Sequence, residues 1–374
     1  MIKEDFRAKE IREMFDRWSN AREDWDVAAR EDIDFYLGNH FSAEESDELA
    51  SRNQSAVPID RLYSAIEQFK AIITSKPPKF SAVAREDSDT KLANVWKVIL
   101  EYIWDLSDGD EQFKQAVHDY TVTGLGYFYA YIDKEADYGR GEIKFKHLNP
   151  FKVYVDPNSR DRYFDDASGM MVSHVMSRMQ LLDAYPQLGQ PIEEGEEKLL
   201  IDSIETVSEE DWPDNTNKRT MGSFTPDVVK DYDYQGSSEK YRLIEYYSKV
   251  KVPYYRVLDK RTNQEKIIEK EQFDAMSQEG QFINAIEKGL IDFVEVQQTR
   301  IRQTCSVGQI VLYDLVLDTD IYPIVPVPNI WTNTPYPMSD VRKNKDFQRF
   351  LNKTVSLITS HAQASSGLKL LIPQ

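Results

Sequence analysis

Four aspartates lie within eleven residues: Asp156, Asp161, Asp165 and Asp166. Grouped carboxylates hold divalent cations through oxygen, and a cation so held could drive metal-dependent hydrolysis or nuclease cleavage. The proline turns around them give a second account, a solvated acidic loop. Cys305 lies in a strand-like stretch with Arg300 and Arg302 nearby. A catalytic thiol needs a base partner, and a buried small hydrophobe accounts for it better. Thr123-Gly124-Leu125-Gly126 lacks the Lys-Ser/Thr of a phosphate loop; it reads as a turn that frees the backbone. Five histidines, at 40, 118, 147, 174 and 361, show no metal-binding spacing. No nucleophile elbow is present. The residues thus offer no catalytic constellation and call for no metal or cofactor.

The cations are better organised. Arg342, Lys345, Arg349 and Lys353 are spaced 3, 4 and 4, which places them on one stripe of a helix. Phe347, Leu351, Thr354 and Ile358 fall on the roughly opposite face. A helix with a basic edge and an apolar back can pack on protein and offer cations to a phosphate backbone. A solvated face, or pairing with acidic neighbours, accounts for the same stripe. Residues 341–374 hold six Lys/Arg and one acid, whereas residues 1–340 hold 40 bases and 63 acids. The total of −18 therefore divides into an acidic body and a basic end, and it excludes a general nucleic-acid coat. One cysteine excludes an internal disulfide framework. The N-terminus is charged from its third residue and is no secretory signal. No stretch approaches the ~20 apolar residues of a membrane span.

The elements that must position these residues are read from periodicity. Ile11, Phe15, Trp18, Trp25, Ala29, Ile33 and Tyr36 recur at helical steps, predicting a helix over 3–37 that stops at Gly38-Asn39. Further helices are expected at 57–76, 88–106 and 109–123. The aromatic run 127–132 and the alternating 142–148 predict a hairpin. Strands follow at 151–155 and 171–177, with a short helix at 178–185. Residues 191–215 carry ten Asp/Glu and one Lys, the composition of a mobile acidic loop. Strands are expected at 241–259, 266–268, 291–303 and 307–316, with a helix near 270–288. Five prolines in 321–337 predict an extended connector. Ser339 or Asp340 caps a final helix over 339–366.

Five segments in this order resemble the portal proteins of tailed bacteriophages, especially the short-tailed group. They are WDVAAREDIDFYLGNHF (25–41), RNQSAVPIDRLYSAIEQFKAIITSKPPKF (52–80), TGLGYFYAYID (123–133), GEIKFKHLNPFKVYVDPNSRDRYFDDA (141–167) and YPIVPVPNIWTNTPYPMSDVRKNKDFQRFLNKTVS (322–356). The last is the most specific, a Pro-Val-Pro connector leading into an Arg…Asp-x-Gln…Asn-Lys…Ser helix.

The resemblance implies an α+β portal fold and a non-enzymatic subunit of a ring, usually a dodecamer, at one capsid vertex of the virion. Double-stranded DNA passes through its channel during packaging and ejection. Its implied partners are the terminase ATPase, the major capsid or scaffolding protein, and the tail adaptor proteins. Assembly would take place in the host cytoplasm, with no membrane involved. By analogy, residues 1–320 form a wing region, 321–338 a connector, 339–366 the first stem helix, and 367–374 the start of a clip. On this analogy the rest of the clip and a second stem helix would lie beyond these residues. Arg342, Lys345, Arg349 and Lys353 become candidates for the DNA channel or a subunit interface. The alternative is a metal-dependent nuclease or hydrolase built on the Asp156 cluster.

Overall fold

The computed structural model describes residues 6–52, 54, 56–84, 89–188, 240–260, 264–277 and 291–366. The first helix, α1 (Phe6–Tyr36), is one unbroken element of 31 residues. Its buried face is Ile11, Phe15, Trp18, Trp25 and Ala29, the face the spacing predicts. Gly38 ends it with φ +91°. Next comes α2 (Ala43–Ser51), where no helix is expected from periodicity. Its signal is a capping box: Ser42 accepts from the Glu45 amide, and the Glu45 side chain accepts from the Ser42 amide. Three more helices follow: α3 (Leu62–Thr74), α4 (Thr90–Leu106) and α5 (Gly109–Val122).

The chain then turns to strands. The hairpin is β1 (Leu125–Asp133) and β2 (Glu142–Leu148), antiparallel with Tyr127 opposite Leu148. Next are β3 (Val153–Val155), β4 (Gly169–Ser177) and the short α6 (Arg178–Ala184). The acidic segment 191–215 lies outside the described residues. The chain continues as β5 (Lys240–Asp259), β6 (Gln264–Glu269) and α7 (Lys270–Met276). The remainder of the helix expected to 288 falls outside the description, apart from Ser277. The last strands are β7 (Ile291–Val307), β8 (Ile310–Leu317) and β9 (Ile324–Pro328), and α8 (Asp340–Ser366) closes the fold.

The result is an α+β architecture with two antiparallel sheets. One has the order β2-β1-β9, the other β3-β4-β5-β7-β8, with β6 on the far half of β5. Part of the proline-rich segment is therefore a strand. It tolerates Pro326 and Pro328 because β9 is an edge. The main core joins both sheets to α1 through Trp25, Ala29, Tyr127, Phe164, Met170, Tyr247 and Ile301. A second cluster sets Ile11, Phe15 and Trp18 against Tyr154, Met171 and Ile244. A third brings Phe35, Leu62, Ile66, Val122 and Val341 together, so that α1, α3, α5 and α8 meet.

Arg22, buried in α1, locks that helix to the turn before β3. It donates to the Val153, Phe151 and Pro150 carbonyls at 2.5, 2.8 and 3.3 Å and lies 3.7 Å from the Tyr154 ring centre. Gly124 has φ +92°, and a Cβ there would sit 2.8 Å from the Met338 carbonyl carbon and the Ser339 nitrogen. The backbone before β1 thus presses directly on the start of α8. Gly124→Ala combines a left-handed backbone with a backbone clash, and should lower stability by about 2–4 kcal/mol. A thermal melt matching the wild type would contradict this.

Candidate functional site

The final helix begins as its sequence dictates. The Arg342 amide donates to Ser339 Oγ at 2.8 Å, a side-chain N-cap. The same hydroxyl donates to Asp32 Oδ2 at 2.8 Å, so the cap is anchored on α1. The connector is fixed beside it. Trp25 Nε1 donates to the Pro337 carbonyl at 3.2 Å, and Asn329 Nδ2 donates to Asp340 Oδ2 at 2.8 Å.

Three of the four cations meet carboxylates of α1. Arg342 Nε lies 2.9 Å from Asp32 Oδ2. Lys345 Nζ lies 2.8 Å from Glu31 Oε2 and 3.4 Å from Asp32 Oδ1. Arg349 reaches Glu31 Oε1 at 2.5 Å, with its guanidinium 4.9 Å from the Phe35 ring centre. Lys353 is exposed and has no carboxylate partner among the described residues. Asp32 has 0% exposure. Burial drives its carboxyl above the usual range, while Arg342, the Ser339 hydroxyl and Lys345 oppose that shift. Glu31 sits nearer solvent. Against its partial burial, Lys345 and Arg349 hold its carboxyl below the usual range.

Beside this seam runs a ladder that charge and hydropathy patterning passes over. Gln348, Asn352 and Ser356 are buried at successive steps of four. Gln348 Oε1 accepts from the Arg61 and Leu62 amides at 3.2 and 3.1 Å, and its Nε2 donates to the Ile59 carbonyl. Asn352 Oδ1 accepts from the Ile59 amide at 3.1 Å, and Ser356 Oγ accepts from the Val57 amide at 3.4 Å. These side chains satisfy the extended stretch before α3 as a neighbouring strand would. The signal that could have found them is Gln-x-x-x-Asn-x-x-x-Ser, one polar stripe of a helix.

Within one subunit the stripe therefore pairs with acidic neighbours, one of the accounts its sequence allows, and the packing through an apolar back is reversed. The polar and basic side of α8 faces the protein, and the apolar side faces out. Phe347 is 76% exposed, and Phe350, Leu357 and Ile358 are exposed with it.

Asn352 Nδ2 also donates to His40 Nδ1 at 3.0 Å, and His40 Nε2 donates to the Phe35 carbonyl at 3.1 Å. These partners hold a neutral ring, because Nδ1 must accept. Burial lowers the His40 pKa against the pull of Asp60. Burial also lowers His118 and His174. The unfolded chain then binds more protons than the folded one below the free-histidine pKa. Stability is expected to fall as pH drops from about 7 to 5. Urea unfolding across that range should show this slope, and His40→Gln should reduce it. A flat profile would contradict the buried neutral ring.

The aspartate cluster is committed to its own loop. Asp156 accepts from the Asn158 amide at 2.9 Å and from the Ser168 amide and hydroxyl. Asp166 accepts from Ser159 Oγ and the Arg160 amide at 2.5 and 2.7 Å. Asp161 accepts from the Tyr163 and Asp165 amides at 2.9 and 3.2 Å. Among the described residues no group of His, Cys, Asp or Glu is placed to hold a metal ion.

Compared with known families, residues 12–372 match the model of the phage P22-like portal protein. This chain belongs to the P22-like phage portal family. No curated protein matches it. A portal is a structural protein of the virion, located at the portal vertex, and its subunits form an oligomeric ring. Among the described residues of this portal chain, no helix is long and apolar enough to cross a membrane. Cys305 of the portal is fully buried, and burial pushes its thiol up to about 12. That is the state of an unreactive core residue.

Proposed function

We propose that this chain is the head-to-tail connector subunit through whose ring double-stranded DNA is packaged and ejected. The observation that carries the reading is the family match over residues 12–372. In this reading the terminase ATPase docks on the ring during packaging, and tail adaptor proteins take its place later. The capsid or scaffolding protein surrounds the ring, assembly takes place in the host cytoplasm, and the ring has twelve subunits. Residues 1–320 are the wing region, 321–338 the connector, 339–366 the first stem helix, and 367–374 the start of the clip. The acidic body suits a channel that passes DNA without gripping it, since clustered cations would bind phosphate through counterion release.

The stripe on α8 divides its work. Arg342, Lys345 and Arg349 hold the helix on α1, and Lys353 is the member open to DNA or to a neighbouring subunit. Electron microscopy of the purified protein tests the ring: twelve-fold particles are expected, and a monomer of 43.5 kDa would end the reading. Lys353→Gln tests the stripe. It should leave the melting temperature unchanged and lower the salt slope of DNA retention by about one unit per phosphate contact. An unchanged slope would remove Lys353 from the DNA path. The nuclease alternative has no observation among the described residues in its favour. Magnesium-dependent DNA cleavage lost in Asp156→Ala would revive it.

A further inference from the structure

A cavity of about 280 Å³ opens where the two sheets face each other. Tyr129 and Lys146 line it from the hairpin, His174 and Met176 from β4, Glu245 from β5, and Tyr185 from the end of α6. It falls just under the ~300–1,000 Å³ of sites for drug-sized molecules, so its occupant is small. Strand register brings its polar groups together. Every second residue of a strand shares a face. His174 stands opposite Leu243, and Val172 opposite Glu245, so His174 and Glu245 are diagonal neighbours on the cavity side.

Glu245 is held by one oxygen only. Its Oε2 accepts from the Tyr247 hydroxyl at 2.8 Å and from Gln303 Nε2 at 3.5 Å. The Tyr247 hydroxyl in turn lies 3.0 Å from that of Tyr129, across the gap between the sheets. Glu245 Oε1 stands 3.9 Å from His174 Nε2, beyond hydrogen-bond length. The Glu245 side chain is 17% exposed, and no Lys or Arg among the described residues pairs with it. Lys146 shares the cavity, but its ammonium rests 5.6 and 5.1 Å from the Tyr129 and Tyr131 ring centres. A largely buried carboxylate without a cation is costly. Burial lowers the His174 pKa, and a neutral imidazole has a nitrogen that accepts.

Two acceptors 3.9 Å apart are spanned by one nitrogen donor about 2.8 Å from each. The Tyr129 and Tyr185 rings suit a cation, and Leu148 and Met176 suit an alkyl chain. We propose that this cavity binds a primary alkylammonium, which donates to Glu245 Oε1 and His174 Nε2 while its chain lies along Leu148 and Met176. A water molecule would satisfy both acceptors but not the charge. The site is built within one subunit and does not call on the ring.

Calorimetric titration of the purified chain with n-butylamine tests it, with 1-butanol as the neutral control. A saturable one-to-one isotherm is expected for the amine and none for the alcohol. Glu245→Gln keeps an oxygen for the Tyr247 hydroxyl and removes the charge, so binding should weaken at least about tenfold. Lys146→Met removes a competing ammonium and should tighten binding a few-fold. Loose collection of amines by a chain of net charge −18 would survive Glu245→Gln unchanged, and that result would overturn the site. So would the absence of a saturable isotherm with the wild type. If Glu245→Gln melts early, Lys146→Met decides alone, and binding no tighter than that of the wild type overturns the proposal. Nα-acetyl-lysine amide separates the sources: its binding supports a partner's lysine side chain as the ammonium, and binding of butylamine alone supports a free amine.

Discussion

Asp32→Ala is expected to lower the unfolding free energy by about 3–5 kcal/mol, the cost of leaving buried charge without its partner. Asp32 receives Ser339 Oγ, Arg342 Nε and Lys345 Nζ on two oxygens with no solvent access. Its removal strands the Arg342 guanidinium and loosens the cap of α8. Lys345 retains Glu31. The carboxylate does not itself contribute much net stability, because burial raises its pKa in spite of three favourable partners. The loss comes from what it leaves unpaired. Asp32→Asn keeps an acceptor for Arg342 and should cost less. Glu31→Ala, at a side chain 41% exposed, should cost less than about 1 kcal/mol. Chemical denaturation of the three variants checks the order. Equal effects of Asp32→Ala and Glu31→Ala would contradict it.

Gln348→Leu is expected to have a comparable effect, again about 3–5 kcal/mol, because the buried Leu62 amide loses its acceptor, three further hydrogen bonds of Gln348 go with it, and the Arg61 amide and Ile59 carbonyl keep only each other. The Arg61 and Leu62 amides share one acceptor, Gln348 Oε1, and the Ile59 carbonyl loses a donor. Leucine fits the volume but offers no polar atom. Hydrogen exchange gives the local measurement: Arg61 and Leu62 amides should lose protection, while amides in the β5–β7 ladder keep theirs. Gln348→Glu preserves the acceptor but sets a carboxylate oxygen against the Ile59 carbonyl and Asn352 Oδ1, both of which now receive Gln348 Nε2. It should destabilise as well, most strongly above the carboxylate pKa. Unchanged exchange at Arg61 and Leu62 in Gln348→Leu would show that the ladder does not hold the extended stretch.

Both predictions fall on contacts that no local reading of the chain exposes. Asp32 and Arg342 are 310 residues apart, and Ile59 and Gln348 are 289 apart. The apolar period of α1 was legible because Trp18, Trp25 and Ala29 repeat at helical steps and bury as a set. The β1–β2 hairpin was legible from an aromatic run before a glycine turn and an alternating run after it. The capping box of α2 was legible in Ser42 and Glu45, although its helix carries no apolar period to draw attention to it.

By itself the sequence determined the element order apart from α2 and β9, the α+β class, the contrast between an acidic body and a basic last helix, and the resemblance to portal proteins that the family match bears out. An amphipathic pattern states that two faces of α8 differ; it does not state which one turns inward. The tertiary structure decided that, because α1 supplies buried carboxylates and residues 57–62 supply unpaired backbone groups where α8 passes. Desolvated charges and amides must find partners, so the polar side turned inward and Phe347 was left outside.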